Sequence, residues 1–287
     1  MKAVGFVVHP GRPAAAKAAE SLVAWLRGHD VETRILDGTE ADAGTEAEID
    51  ARARSFTVGL NLIVSVGGDG TFLRAARLAS RSSIPVLGVK AGRMGFLTEV
   101  EPEDAPGVLS RMLDGAARIE ERLAVIAEGA SFAPQWALNE VIVEKSARHR
   151  LIRLAVFVDD AYVTTFSADG VISATPTGST AYSFSAGGPI VSPSVPCLVV
   201  TPIAAHMVFD RSLVLGAEQR VRLEVLGEEP GLLSADGRQS LELPVGTTVE
   251  IRRAEEPARL VRREDAVAFH ELVRDKFELP GDVGGWG

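Results

Sequence analysis

The hydrophobic pattern of this chain changes period near residue 120, and the two periods demand two kinds of layer. Before that point, short β-branched runs alternate with helical patterns. Val4–Val8 is followed by Pro13–Arg27, whose Ala15, Ala18, Ala19, Leu22, Trp25 and Leu26 recur at helical spacing. Val31–Leu36, Leu62–Val66 and Ile84–Val89 read as further strands, with a helix over Thr71–Ala79. Strand–helix–strand units of this length imply a parallel sheet. Beyond Glu120 the pattern becomes short alternating strands: Leu123–Ala127, Ala137–Val143, Leu151–Val158, Tyr162–Phe166, Val171–Ala174, Cys197–Ile203, Val221–Leu226, Leu241–Leu243 and Val249–Arg252. A helical stripe of Phe269, Leu272, Val273 and Phe277 returns over Glu264–Leu279. The expected architecture is an α/β, Rossmann-like domain with a parallel sheet, residues 1–121 plus 264–287, followed by a mainly β domain, residues 122–263. Asp37–Asp50, with six acids and no base, reads as a solvated loop, and Gly281–Gly287 as a loosely ordered tail.

Charge and cysteine content narrow the function classes. The 287 residues carry 39 Asp and Glu against 30 Lys and Arg, a balance that disfavours a nucleic-acid backbone as partner but leaves phosphorylated small molecules open. The single cysteine, Cys197, sits among apolar neighbours and cannot form an internal disulfide, which suits a reducing, cytoplasmic setting. No apolar stretch approaches the ~18 residues of a membrane span, and Ala3–Val8 is too short for a signal-peptide core, so no membrane partner is expected. The five histidines show no metal-ligand spacing, and no protein-held metal site is assigned.

Two segments carry candidate chemistry. Leu62–Val66 runs into Gly67-Gly68-Asp69-Gly70-Thr71 and then a helix, so glycines permit close backbone approach and free N–H groups at the helix start attract phosphate oxygens. Asp69 inside that turn can cap the helix, hold a cation or accept a proton from an attacking hydroxyl. Arg74, one turn on, reads equally well as a phosphate ligand or a solvated surface residue. The second segment, Asp169–Pro189, is dense in hydroxyls and small residues around Thr175-Pro-Thr-Gly-Ser-Thr-Ala-Tyr182, offering donors to phosphates and ribose and an aromatic face to a base. No Gly-Lys dipeptide exists for a P-loop, and Gly88–Gly95 does not have dinucleotide-fingerprint spacing.

In this order and spacing, Gly67–Thr71, Asn139-Glu140 and Asp169–Pro189 resemble the NAD kinase family, over about residues 1–280. The glycine turn alone also fits diacylglycerol and sphingosine kinases; the Thr-Pro-Thr-Gly-Ser-Thr-Ala-Tyr run separates them. The resemblance implies transfer of the γ-phosphoryl group of ATP, with Mg²⁺ arriving on the donor and polyphosphate left open as an alternative, to the 2′-hydroxyl of the adenosine ribose of NAD. It implies Asp69 as the base, with Gly67, Gly68, Gly70, Thr71 and Arg74 toward the phosphates and Arg150 as a weaker phosphate match. NAD contacts fall on Asp69, Gly70, Phe96, Asn139, Glu140, Asp169, Thr177, Thr180, Ala181, Tyr182, Ser185 and Ala204. A homodimer or homotetramer is implied, with site contacts able to cross between subunits. Three departures stand out: Lys90 where the family has Asn, Thr201–Met207 where it has Pro-His-Ser or Pro-His-Thr, and Ser212 in place of Pro. Two rivals remain open, a lipid kinase of the same superfamily and a dinucleotide sensor without turnover.

Overall fold

The structure is a computed structural model and describes residues 1–42, 44–92, 95–238 and 240–279, so the expected loose tail, 281–287, lies outside the described residues. The first part of the chain forms β1 (Ala3–Val8), α1 (Pro13–Arg27), β2 (Glu32–Asp37), α2 (Glu46–Thr57), β3 (Leu62–Gly67), α3 (Asp69–Ser80), β4 (Val86–Lys90), α4 (Ala105–Leu113) and β5 (Arg118–Arg122). There follow β6 (Val125–Gly129), β7 (Phe132–Ala137), β8 (Glu140–Lys145), β9 (Ile152–Val158), β10 (Ala161–Ala168), β11 (Gly170–Ala174) and the short α5 (Tyr182–Ser185). The chain ends with β12 (Cys197–Ile203), β13 (Leu213–Gly216), β14 (Val221–Leu226), β15 (Gly231–Ala235), β16 (Leu241–Leu243), β17 (Thr248–Arg253), β18 (Ala258–Arg262) and α6 (Phe269–Lys276).

These strands make three six-stranded sheets. The first runs β2-β1-β3-β4-β18-β5, parallel from β2 through β18, with β5 antiparallel at the edge. Helix α1 forms because Pro13 occupies the first turn, where its missing N–H is not needed, and because Ala15, Ala18, Ala19, Leu22, Val23 and Leu26 make one buried stripe. That stripe packs on Val4, Phe6, Val64 and Val66 of the sheet. The other two sheets are antiparallel, in the orders β10-β9-β14-β17-β6-β7 and β13-β12-β11-β8-β15-β16. Val125, Val143, Leu154, Phe166, Leu223 and Ile251 are buried between them, on the inward-facing positions that alternation along each strand provides.

Several local expectations change. Asp37–Asp50 is not a continuous loop: Glu40–Asp42 makes a 3-10 turn and α2 starts at Glu46. A reciprocal cap explains the start, since the Thr45 N–H donates to Glu48 Oε2 at 2.7 Å while the Glu48 N–H donates to Thr45 Oγ1. Ile49, Ala53 and Phe56 then bury one face of α2. The expected strand Ala137–Val143 is interrupted, because the Asp236 carboxylate accepts the N–H groups of Leu138, Asn139 and Glu140 at 2.8–3.2 Å. There the chain leaves the second sheet with β7 and enters the third with β8. The expected helix over Glu264–Leu279 contracts to α6, and β18, unassigned from sequence, returns to the first sheet six residues before the expected boundary at 264.

Candidate active site

The glycine turn lies at the carboxyl end of β3, where a parallel sheet opens toward ligands. Gly67 is required there: a Cβ would lie 2.4 Å from the Thr71 hydroxyl, which is itself buried and unpartnered. Gly70 differs, because a Cβ on it would meet nothing within 4 Å, so the space above it is open to a substrate. The Thr71 N–H donates to Gly68 O at 3.0 Å, so the N–H groups of Asp69 and Gly70 are the ones that precede the hydrogen-bond ladder of α3 and suit an anion.

Asp69 is the first residue of α3, with Gly68 as the cap residue, a position from which a carboxylate can turn back toward the N–H groups of its own helix. It reaches instead to the segment after β4. Oδ2 accepts the Phe96 N–H at 2.8 Å, while Oδ1 accepts the N–H groups of Leu97 and Thr98 at 3.2 Å and the Thr98 hydroxyl at 3.1 Å. Three donors thus anchor Oδ1 and one orients Oδ2, which retains acceptor capacity for a further hydroxyl. Gly95 makes this possible, since a Cβ there would sit 1.7 Å from Asp69 Oδ1. The same bonds fix Phe96 beside the turn, where its ring packs near those of Phe269 and Phe277 on the C-terminal helix.

The β domain brings its own segment against this turn. Thr175 donates its hydroxyl to the Leu138 carbonyl at 2.6 Å and its N–H to the Asn139 carbonyl at 2.8 Å. Gly178 lies so close to Asn139 that a Cβ would be 2.1 Å from its carbonyl oxygen. The Asn139-Glu140 pair and the Thr175–Tyr182 run are therefore one packed unit, with β8 and β11 adjacent and Glu140 opposite Ala174. Glu140 is buried, its Oε2 has no partner, and burial followed by the nearby Asp236 charge pushes its pKa up to about 8. At neutral pH it is a neutral acid able to donate as well as accept.

Phe96, Thr177 and Thr180 line a cavity of about 510 Å³ together with Arg122, Arg262 and Phe269. Thr177 is buried and accepts a hydrogen bond from Arg122 at 3.3 Å, and Arg122 is paired with Glu120. Tyr182 is half-exposed, and burial, followed by the charges of Glu144 and Asp169, raises the pKa of its phenol. Ala181 precedes α5 and Ser185 closes it on the exposed side. Asp169 is held by Lys145, and its N–H donates to Ile203 O beside Ala204, which adopts a left-handed φ of 46°.

Of the two side chains expected to reach phosphates, Arg74 shares a cavity with the glycine turn and Arg150 lies on an exposed connection. Arg74 lines, with Gly70 and Arg77, a cavity of about 190 Å³ closed by Asp236–Arg238 across the domain junction. Arg150 is exposed in the β8–β9 connection and pairs with Glu229 at 3.1 Å. Lys90, the departure from the family pattern, pairs with Glu101. Sequence reading missed Asp236, Arg122 and Arg12, whose guanidinium donates to Ala91 O at 2.8 Å close to Gly68 of the glycine turn. Asp236 and Arg12 sit in Asp-Gly-Arg and Gly-Arg-Pro contexts that read as ordinary turns, and Arg122 sits in a strand whose charged residues hid it.

Comparison with known proteins agrees across the whole chain. The profile described as the ATP-NAD kinase N-terminal domain matches residues 4–117, and that of the ATP-NAD kinase C-terminal domain matches residues 138–263. The chain is 40% identical to NAD kinase 2 of Streptomyces coelicolor, covering 100% of this chain and 97% of that protein. It is 39% identical to NAD kinase of Moorella thermoacetica, covering 98% and 91% respectively. Among solved structures it resembles yeast NADH kinase complexed with NADH, with a TM-score of 0.83, 25% identity and coverage of 100% and 89%. It also resembles an NAD kinase from Archaeoglobus fulgidus in complex with ATP, with a TM-score of 0.77, 28% identity and coverage of 98% and 100%.

Proposed function

The chain belongs to the NAD kinase family and carries NAD kinase activity, and on that premise we propose how its own residues perform the transfer. The observation that supports the proposal is the asymmetric grip on Asp69, in which Oδ1 is anchored by three donors and Oδ2 by one. Oδ2 orients the ribose 2′-hydroxyl of NAD and takes its proton as the new phosphorus–oxygen bond forms. The bond from the γ-phosphorus to the bridging oxygen breaks, and ADP leaves with that electron pair. The N–H groups of Gly67–Thr71 face the donor phosphates, and Mg²⁺ enters with the donor as its phosphate complex. Among the described residues no group of three or more His, Cys, Asp or Glu has the arrangement to hold a metal.

On the acceptor side, Glu140 in its neutral form and Asn139 bond the adenosine, with Phe96 and Tyr182 as apolar faces. Thr177, Thr180, Ala181 and Ser185 line the run along which the dinucleotide lies. Asp169, steadied by Lys145, meets the nicotinamide half, with Ala204 beside it. We assign the protein to the cytoplasm, in keeping with its single buried cysteine. We also assign it a homodimeric or homotetrameric assembly in which the exposed Arg150 reaches a neighbouring site. Among the described residues no helix is long and apolar enough to cross a membrane.

The decisive assay is NADP formation from NAD, ATP and Mg²⁺ by wild type beside Asp69→Asn, with polyphosphate as alternative donor. A positioned base contributes about 10²–10⁴-fold, so the variant is expected to lose that factor in kcat while retaining NAD binding by calorimetry. Turnover equal to wild type would remove Asp69 from the chemistry. Light scattering reads the assembly, and a fully active monomer would overturn the oligomeric assignment.

A further inference from the structure

Helix α6 follows β18, the last strand to join the first sheet, and carries Phe269, Leu272 and Val273 on one face, with Phe277 one residue past its end. Leu272 is buried, and Phe269 and Phe277 are half-buried. The Phe277 N–H still donates to Val273 O at 3.0 Å, so its ring is carried by the helix rather than by a loose tail. Phe269 and Leu272 line the cavity of about 510 Å³ that Phe96, Thr177 and Thr180 share. The C-terminal stripe therefore borders the space along which the acceptor run lies.

Phe277 makes the longer reach. Its ring centre lies 4.6 Å from that of Phe184 and 6.3 Å from that of Phe96, both within the range over which aromatic side chains attract. Phe184 belongs to α5 in the β domain, beside Tyr182. Phe96 belongs to the segment after β4 in the first domain, and its N–H donates to Asp69 Oδ2 at 2.8 Å. Phe269 makes a second contact with the Phe96 ring at 6.4 Å, and Lys276 Nζ stands 6.0 Å from the same ring centre. Phe96 is thus held at its backbone by the aspartate and at its ring by the C-terminal helix, while Phe277 also steadies α5. The two apolar walls read as facing the adenosine come from different domains, and Phe277 is a side chain that touches Phe96 on one and α5 on the other. A slot whose walls are fixed before the substrate arrives loses less freedom on binding.

We infer that Phe277, supported by Phe269 on the same helix, is a positioning residue for the acceptor: it sets the spacing between Phe96 and α5 and with it the width of the slot that takes the adenosine of NAD. The inference rests on the reading of Phe96 and Tyr182 as the apolar faces of that slot. It confines the effect to one substrate, because the ring contacts of Phe277 are with the acceptor's walls. It also spares the chemistry, since the bond from Phe96 to Asp69 comes from the backbone and survives loss of the neighbouring ring.

The test uses the full chain, with NAD and ATP titrated separately. A ring pair of this geometry is worth about two- to tenfold in an equilibrium constant, and Phe277→Ala removes two of them. It is expected to raise the NAD KM roughly tenfold while the ATP KM and kcat stay within about twofold, and Phe277→Tyr, which keeps the ring, should return the NAD KM to within about twofold of wild type. Phe184→Ala carries the same test from the β domain, at a side chain already 39% exposed, and should raise the NAD KM about threefold. The double alanine variant should be no worse than Phe277→Ala alone, because residues in contact do not add. An NAD KM within twofold of wild type in either alanine variant, an equal rise in the ATP KM, a tyrosine variant as poor as alanine, or effects that multiply in the double variant would overturn the inference while leaving the kinase reading intact. A wild type that forms no NADP would overturn that reading, and the inference with it.

Discussion

Replacing Glu140 by Gln should make the substrate-free protein progressively more stable than wild type as pH rises, and the size of the effect follows from burial. Glu140 is 6% exposed with Oε2 unpartnered, and its pKa stands at about 8 in the folded protein against 4.5 for the ordinary side chain. Between those values the folded state binds more protons than the unfolded state. Unfolding therefore releases a proton, and stability falls as pH increases through this window. Below pH 4.5 both states are protonated and the residue costs nothing; above pH 8 the full cost of an ionised buried carboxylate is present. Each pH unit inside the window is worth about 1.4 kcal/mol. Wild type should thus lose at most about 3 to 4 kcal/mol between pH 5 and pH 8 relative to Glu140→Gln, which has the shape of the neutral acid and does not titrate. Urea unfolding at four pH values, with midpoints compared at constant slope, measures the difference. Parallel stability curves for the two proteins would refute the reasoning, because they would mean that Glu140 is already ionised or already solvated in the folded state.

Two further substitutions test the local geometry. Gly95→Ala places a methyl group where Asp69 Oδ1 now sits, at 1.7 Å, so the carboxylate must swing off its three anchoring donors. The expected result is a loss of about 10²-fold in kcat with secondary structure retained, and a fully active variant would separate the grip on Asp69 from catalysis. Thr45→Ala removes half of the reciprocal cap of α2, far along the chain from the site residues. It should cost about 1 kcal/mol of stability by urea titration and leave kcat unchanged.

Periodicity in the sequence carries the large-scale fold well, because burial imposes a period of 3.6 on α1 and of 2 on β12 and β14 whatever the wider context. It fails where polar chemistry decides. The acidic composition of Asp37–Asp50 points to solvent, yet the Thr45–Glu48 cap and the spaced Ile49, Ala53 and Phe56 nucleate a helix inside it. The break before Glu140 depends on Asp236, almost a hundred residues away, and no local window contains that carboxylate. At the site, Asp69, Asn139 and the Thr175–Tyr182 run are legible as residue types in order. Their assembly is not, because Asp69's partners are backbone N–H groups at Phe96–Thr98 and Asn139's neighbour is a glycine whose role is the absence of a side chain. Arg12 is invisible for a similar reason: it is an ordinary turn residue until the parallel pairing of β1 with β3 sets it beside the glycine turn.

The position of β18 gives the fold an order of assembly. Its five residues, Ala258–Arg262, lie between β4 and β5, so the strand ladder holding β5 to the first sheet is built from a segment synthesised near the end of the chain. While the ribosome is still making the β domain, the Val86–Leu87 part of β4 has no strand partner beyond β3, and β5 has no strand to pair with. A nascent chain stalled before residue 258 would expose an unpaired parallel edge, a surface that invites pairing with other chains. The glycine turn follows β3, the strand next to β4 and its late-closing edge. The sheet that carries Asp69 is therefore completed only once nearly all of the protein has left the tunnel, which makes premature termination a route to aggregation as well as to an incomplete fold.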